Sequence, residues 1–232
     1  MPEAYPGPLG VSILQRAREK GIWSLETVNL REFGVGKHRN VDETPAGGGA
    51  GMVLRPDVAA AAIDSLARDE RPLVHLSPRG KPLTQAMARD YAVGPGLICF
   101  CGRFEGLDER VIEARQMVEV SLGDFVLAGG DVAAMALTEA VVRLLPGVAG
   151  NDASIEHESF ETGLLEHEHY TLPRIWEGLE TPDVLLSGDH GAIEKWRLKR
   201  SLLLTKARRP DLYAAYSNIQ KHEPPETGDE HD

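Results

Sequence analysis

Three short stretches carry residues whose types and spacing point to chemistry. They are Ser77-Pro78-Arg79-Gly80, Gly102-Arg103-Phe104-Glu105-Gly106, and Gly123-Asp124 running on through Phe125-Val126-Leu127-Ala128 to Gly129-Gly130. Each follows a short apolar run, VHL, ICFC or VEVSL. Glycine at such a point lets the backbone approach a ligand closely or take positive φ. Loops that follow parallel strands gather at one edge of the sheet, where ligands bind. Any one of the three also has the composition of an ordinary tight turn, but three in succession point to a shared pocket. Neither GGGAGM nor GRFEG has the dinucleotide-binding spacing, and no GxxxxGK followed by Ser or Thr is present for a triphosphate. A ligand held by main-chain groups and apolar side chains, with carboxylates nearby, suits these residues better. S-adenosylmethionine meets that description, because adenine takes main-chain donors and acceptors and the sulfonium is compatible with nearby carboxylates.

The elements that must position these loops alternate. Residues 9–20 have a helical pattern that stops at Gly21, and SLETVNL (24–30) alternates like a strand. Residues 34–51 hold six glycines and no apolar period, which predicts a long surface loop of the length that is usually functional or mobile. Pro56 opens a helix, PLVHL (72–76) is a short strand broken by SPRGKP, and 83–93 is helical. A buried strand at 97–101 precedes a helix at 108–116, a strand MVEVSL and a helix at 131–145 that Pro146 ends. Strands alternating with helices predict a parallel α/β sheet. The organisation expected is an α/β domain over 1–150, a flexible linker over 151–168, a small helical domain over 169–220 and a disordered acidic tail over 221–232.

Composition bounds the partners. The 232 residues carry a formal charge of −11, but charge distribution matters more than the total. Residues 194–209 hold seven Lys or Arg and one Glu, whereas the final ten residues hold five acids and no Lys or Arg. No apolar run is long enough to span a bilayer, so no membrane partner is expected. The start has no basic region followed by an apolar core, so a cytoplasmic location is expected. The two cysteines, Cys99 and Cys101, share one face of a strand and read as core residues in a reducing compartment. His157, His167 and His169 lack strict ligand spacing, so no metal site is expected from them.

The blocks GRFEGLDERVIE, SLGDFVLAGGD, RLLPGVAGN, KHRNVDETPAGGGAGMV, LSPRGKPLTQ and VLLSGDH resemble bacterial tRNA (guanine-N1)-methyltransferases of the TrmD type, nearly throughout the chain. That resemblance implies a SPOUT-type α/β fold: a parallel sheet with a C-terminal trefoil knot, plus a small helical C-terminal domain. It implies a homodimer that methylates N1 of the tRNA guanine next to the anticodon, guanine 37, from S-adenosylmethionine. Magnesium acting with the tRNA substrate stays open. The family's first strand is apparently missing from this chain. The cofactor contacts implied are His75, Leu76, Ser77 and Pro78, then Gly102, Arg103, Phe104, Glu105 and Gly106. The third set is Val120, Leu122, Gly123, Asp124, Phe125, Val126, Leu127, Gly129 and Gly130. The segment His38–Met52 matches a loop that engages tRNA, with His38, Arg39 and Asp42 as contacts. Lys195, Arg197, Lys199 and Arg200 lie in the part that grips the anticodon stem-loop, where phosphate contacts supply affinity.

The resemblance also implies the catalytic pair. Guanine N1 is protonated at neutral pH, so a base must remove that proton, and a cation must balance charge that develops on O6. HESF places Glu158 where the family carries an aspartate base, and Arg143 matches the family's arginine; the two would come from opposite subunits. Two other readings stand beside this one: a catalytically weak or inactive SPOUT-fold RNA-binding protein, and a SPOUT methyltransferase acting on another RNA.

Overall fold

The computed structural model describes residues 1–67, 69–150 and 158–222, and the chain divides into two compact units, 1–150 and 151–232. The first unit is α/β. Helix α1 (Ser12–Glu19) turns Leu14 and Ala17 inward, on the i, i+3 spacing that makes one face of a helix. A two-residue antiparallel ribbon follows, β1 (Asp42–Glu43) with β2 (Val53–Leu54). Helix α2 (Pro56–Asp64) starts at a proline, which loses nothing at the first helical position. Then come β3 (Leu73–Pro82), α3 (Gln85–Val93), β4 (Ile98–Phe100), α4 (Glu109–Ala114), β5 (Val118–Ser121) and α5 (Gly130–Val142). Side-chain caps begin two of these helices: Thr84 Oγ1 accepts from Met87 N at 3.2 Å and Asp108 Oδ1 from Arg110 N at 3.0 Å. Such caps are worth about 1 kcal/mol each.

Strands β4, β3 and β5 form one parallel sheet in that order. Its two faces are covered by different helices, as a parallel sheet requires. On one face Val74, Leu76 and Val120 pack with Ala88 of α3 and with Ala133, Ala134, Leu137 and Val141 of α5. On the other, Phe100 packs with Val58 and Ala59 of α2 and Val111 and Ile112 of α4. Helix α5 is buried on a second side as well, where Met135 and Val142 meet Leu9, Leu14 and Ala17. This explains why it is apolar nearly all round.

Cys99 and Cys101 lie on the α3/α5 face and are free thiols. Burial pushes the Cys99 thiol up to about 12 from 9.0, and burial also raises Cys101. Thiolate is the reactive form, so Cys99 at pH 8 has about 10³-fold less of it than an ordinary thiol. Iodoacetamide is therefore expected to label Cys99 at a normal rate only in denaturant. Mass spectrometry of the alkylated native protein checks this.

Three expectations are corrected. Residues 24–30 form no strand and pair with none; Trp23 is tied back by its indole N–H to Leu14 O at 2.8 Å. The stretch SPRGKP does not end the strand, because β3 continues through it to Pro82. Val120 of β5 pairs with Leu76 and again with Lys81, so the intervening residues bulge out and return to the same partner. Gly80 makes this closure feasible: a Cβ there would lie 2.4 Å from Val120 N and 2.5 Å from Glu119 C.

The third correction concerns the second unit, where 171–189 is not helical. It holds a hairpin of β6 (Ile175–Trp176) and β7 (Leu179–Glu180) and a 3₁₀ turn over Asp183–Leu186. Glu177 and Gly178 both take positive φ at the hairpin tip, which suits a tight turn matched to strand twist. Helices α6 (His190–Arg208) and α7 (Pro210–His222) complete the unit. Asp189 caps α6 by accepting from Ala192 N at 3.0 Å. Among the described residues no helix is long and apolar enough to cross a membrane.

Candidate active site

The second and third glycine-bearing stretches follow the parallel strands β4 and β5 and so lie at the carboxyl edge of the sheet, where they touch; the first is the bulge within β3. Gly130 N donates to Gly102 O at 2.7 Å, joining the loop after β4 to the loop after β5. A Cβ on Gly130 would lie 3.0 Å from Cys101 Cα and Gly102 N, and one on Gly129 would lie 3.1 Å from Arg103 Cγ. Glycine is favoured there by close contact rather than by φ. The β3 bulge is fastened from outside: Arg79 donates to Glu109 Oε2 at 2.9 Å and to Glu119 Oε1 at 3.2 Å. Ser121 closes the start of the third loop, with Oγ donating to Gly123 O at 3.1 Å.

Two buried polar atoms at this edge have no hydrogen-bond partner, His75 Nδ1 and Arg103 Nε. His75 is only 3% exposed; it meets the Phe100 ring edge-on at 5.8 Å, and Gly102 sits against its Cε1. Arg103 reaches Asp131 at 3.3 Å, and Asp131 is itself buried. Unpaired buried polar atoms cost free energy and call for an explanation. Here both adjoin glycines that leave the backbone open. Phe104 adds a backbone outlier, with φ +61 at a bulky residue between them. Such conformations cost about 1–3 kcal/mol and concentrate where a ligand is clamped. Polar atoms awaiting partners, main-chain groups and glycine-narrowed walls fit a nucleoside-bearing ligand such as S-adenosylmethionine. A surface cavity of about 420 Å³ lined by Glu26, Asn29, Glu32, Phe33 and Ser65 touches none of these loops.

Burial lowers the His75 pKa below its ordinary 6.5. The unfolded chain therefore binds a proton near that pH while the folded chain resists it, so stability falls as pH drops below about 6.5. Urea midpoints at about pH 7.5 and pH 5.5 are expected to differ more for the natural chain than for His75→Gln.

The glycine-rich segment ends on the same edge. Glu105 N donates to Met52 O at 2.9 Å, and Leu54 N donates to Gly106 O at 2.9 Å. Gly51 takes φ +87, which favours glycine, and lies against the Glu105 side chain, whose Oε1 would be 2.3 Å from a Cβ there. Asp42 pairs with Leu54 across the β1–β2 ribbon, and Leu54 bridges to Leu107. Asp42 is thus joined through one ribbon to the Gly102–Gly106 loop. His38 and Arg39 sit exposed on a turn closed by Val35 and Asn40. Phe104, Phe125, Val126, Leu127 and Val132 are exposed around this edge, Val126 by 84%.

Arg143 caps the far end of α5. With 13 residues in that helix, it stands about 20 Å along the axis from Gly130. Glu158 begins a tight turn in the second unit, where Glu161 N donates to Glu158 O at 3.3 Å and Phe160 N to Leu164 O at 2.8 Å. Glu166 N donates to Ser159 Oγ, and Leu165 N donates to Thr205 Oγ1 at 2.8 Å. Thr205 is fully buried and donates to Ser201 O. The stretch expected to be a flexible linker is therefore pinned to α6 from 158 to 168; residues 151–157, with His157, lie outside the described residues, as does the tail beyond 222.

On α6, Lys195, Arg197 and Lys199 are exposed. Arg200 is engaged instead with Glu168, Nε donating to Oε2 at 3.0 Å, which holds the Glu168 carboxyl down at about 2. Sequence reasoning placed Arg79 in a candidate loop but did not find its partners Glu109 and Glu119, nor Asp131, since those pairings come from contacts between residues far apart in sequence. It expected no metal ligands, yet the fold brings Glu166, His167 and His169 together.

Loops at the carboxyl edge of a parallel sheet, narrowed by glycine and holding buried polar atoms without partners, are what is expected of a ligand-binding α/β protein. Its whole first unit and most of its second, residues 1–215, match the family described as tRNA (Guanine-1)-methyltransferase TrmD. Proteins from Brucella ovis and Brucella melitensis biotype 1, each named tRNA (guanine-N(1)-)-methyltransferase, are 59% identical to it over 215 residues, 93% of this chain and 89% of theirs. One of the same name from Brucella suis is also 59% identical, covering 93% and 88%. The chain belongs to the tRNA (guanine-1)-methyltransferase TrmD family.

Proposed function

We propose that this chain transfers a methyl group from S-adenosylmethionine to N1 of guanine 37, next to the anticodon, in tRNA. The observation that carries this is 59% identity, over 93% of the chain, to proteins named for that class of reaction. Bound at the sheet edge, S-adenosylmethionine supplies an electrophilic methyl on a sulfonium. His75, Ser77, the Gly102–Gly106 loop and Leu122–Gly130 hold it. The remaining labour belongs to side chains. Glu158 accepts the N1 proton, which a base must remove before N1 becomes nucleophilic. Arg143 balances the negative charge that develops on O6.

The two act from opposite subunits of a homodimer. The exposed apolar side chains at the loop edge support a second copy there, since patches of this kind mark interaction surfaces. The helix length between Arg143 and its own loops supports it too. The knot of the SPOUT fold threads the loop-bearing half of the sheet, and the helical C-terminal part grips the anticodon stem-loop through Lys195, Arg197 and Lys199. His38, Arg39 and Asp42 meet the bases from the ribbon that abuts the cofactor loop. Magnesium acts with the tRNA rather than in a protein cage, as befits an ion that keeps its waters.

The test is transfer of labelled methyl to tRNA transcripts with guanine or adenine at position 37. Incorporation confined to the guanine transcript is expected. Tight tRNA binding without transfer, or transfer to ribosomal RNA in preference, would overturn the assignment.

A further inference from the structure

We propose that Glu166, His167 and His169 form a site for a divalent transition-metal ion, zinc(II) being the ion that best suits the donor set. Their ligand atoms lie within 4.8 Å of one another, as those of no other such trio among the described residues do. One edge of the site already has coordination spacing. His169 Nε2 stands 3.1 Å from Glu166 Oε1, and two ligands on a tetrahedral zinc with bonds of about 2.0–2.1 Å stand about 3.3 Å apart.

His167 is oriented for the same task. Its Nδ1 lies 3.0 Å from Glu168 O. A ring that donates to a carbonyl through Nδ1 leaves Nε2 as a lone pair for a metal, which is how ligating histidines are ordinarily set. Glu168 in turn is held by the Arg200 guanidinium, so the carbonyl-bearing residue is anchored to α6. Trp196 stands edge-on to the His167 ring at 6.3 Å and limits its swing.

A cavity of about 180 Å³ opens beside the trio, walled by His167, His169, Leu185, Ile193 and Arg197. It leaves space for water or an anionic oxygen at a fourth position, the mark of an open zinc site. Arg197 works against a loosely held cation. Two imidazole donors select zinc, cobalt or nickel over magnesium, which prefers an all-oxygen shell. The sequence hides the site because positions i, i+1 and i+3 here lie on no regular element; an irregular segment pinned to α6 brings them together.

The experiment is a zinc(II) titration of the chelator-stripped full-length chain against a chromophoric chelator, repeated with cobalt(II) as a spectroscopic probe. One equivalent with a tetrahedral cobalt spectrum is expected, undisturbed by excess magnesium. Loss of an outer-shell partner alone costs about 10–100-fold in metal affinity, so His167→Gln and His169→Gln are each expected to lose at least about 100-fold. Equal zinc affinity in the natural chain and the double variant would overturn the site, as would failure to bind a stoichiometric ion. Should either histidine variant melt early, Glu166→Gln serves instead, and undiminished affinity there overturns the proposal. No tRNA or methyl donor is present, so the outcome stands apart from the proposed reaction.

Discussion

Glu158→Gln is expected to lower the single-turnover rate of methyl transfer by about 10²–10⁴-fold, the span that a positioned general base contributes. Glutamine keeps the size of the side chain and removes its basicity. The turn that carries it is held by Glu161 N donating to Glu158 O and Leu165 N donating to Thr205 Oγ1, bonds the substitution leaves in place, so the fold is expected to survive. S-adenosylmethionine affinity is expected to stay unchanged, because the cofactor loops belong to the first unit. Glu158→Asp keeps the base but draws it back by one methylene. Misplacement near 1 Å can cost about 100-fold, so the aspartate variant is expected to be impaired and yet faster than the glutamine variant. Quench-flow with labelled cofactor separates these outcomes. A glutamine variant with the natural rate would move the base elsewhere.

The second large effect concerns folding. Gly80→Ala is expected to destabilise the chain by about 3 kcal/mol or more, at the upper end of what overpacking costs. The added methyl would meet Val120 N at 2.4 Å, Glu119 C at 2.5 Å and Val120 C at 2.6 Å. All three are backbone atoms of β5, so no side chain can swing aside. The β3 bulge must then open, and Leu76 and Lys81 lose their common partner. Gly191→Ala is the control. A Cβ there lies 3.6 Å from Asp189 Oδ1 at the start of α6, ordinary contact in a helix that gains from alanine. Urea unfolding compares the two, and a loss under about 1 kcal/mol at Gly80 would show that the strand relaxes.

The parallel sheet and its helices were legible because local signals agreed with the fold. Pro56 and Asp108 mark the starts of α2 and α4, and the apolar run at 98–101 holds the buried β4. The three loops were legible as glycines after apolar runs. What pattern could not supply was the continuation of β3 through Ser77–Pro82. Two prolines and a glycine read locally as a break, whereas pairing with β5 on the far side of the bulge restores the strand. Residues 24–30 are the opposite case: they alternate like a strand, yet they pair with no other segment, and a strand exists only by its pairing. The β6–β7 hairpin was hidden by shortness, two residues a side, though Glu177-Gly178 resembles the turn dipeptides that close such hairpins.

Within the candidate site the loops follow from sequence, but their mutual closure does not. Gly130 reaching Gly102 joins residues 28 apart, and Arg79 reaching Glu109 and Glu119 spans 30 and 40. Glu158 and Arg143 are a different case. Neither a carboxylate in a polar segment nor an arginine closing a helix carries a local signature of catalysis, so their roles rest on resemblance and await the substitutions above.

The most direct measurement is a crystal structure of the protein grown with S-adenosylmethionine. Density for the nucleoside against the Ser77–Gly80 bulge, the Gly102–Gly106 loop and Leu122–Gly130, with His75 Nδ1 or Arg103 Nε newly partnered, is the result expected. The same compound seated away from all three, with those two atoms as they stand now, would contradict the account.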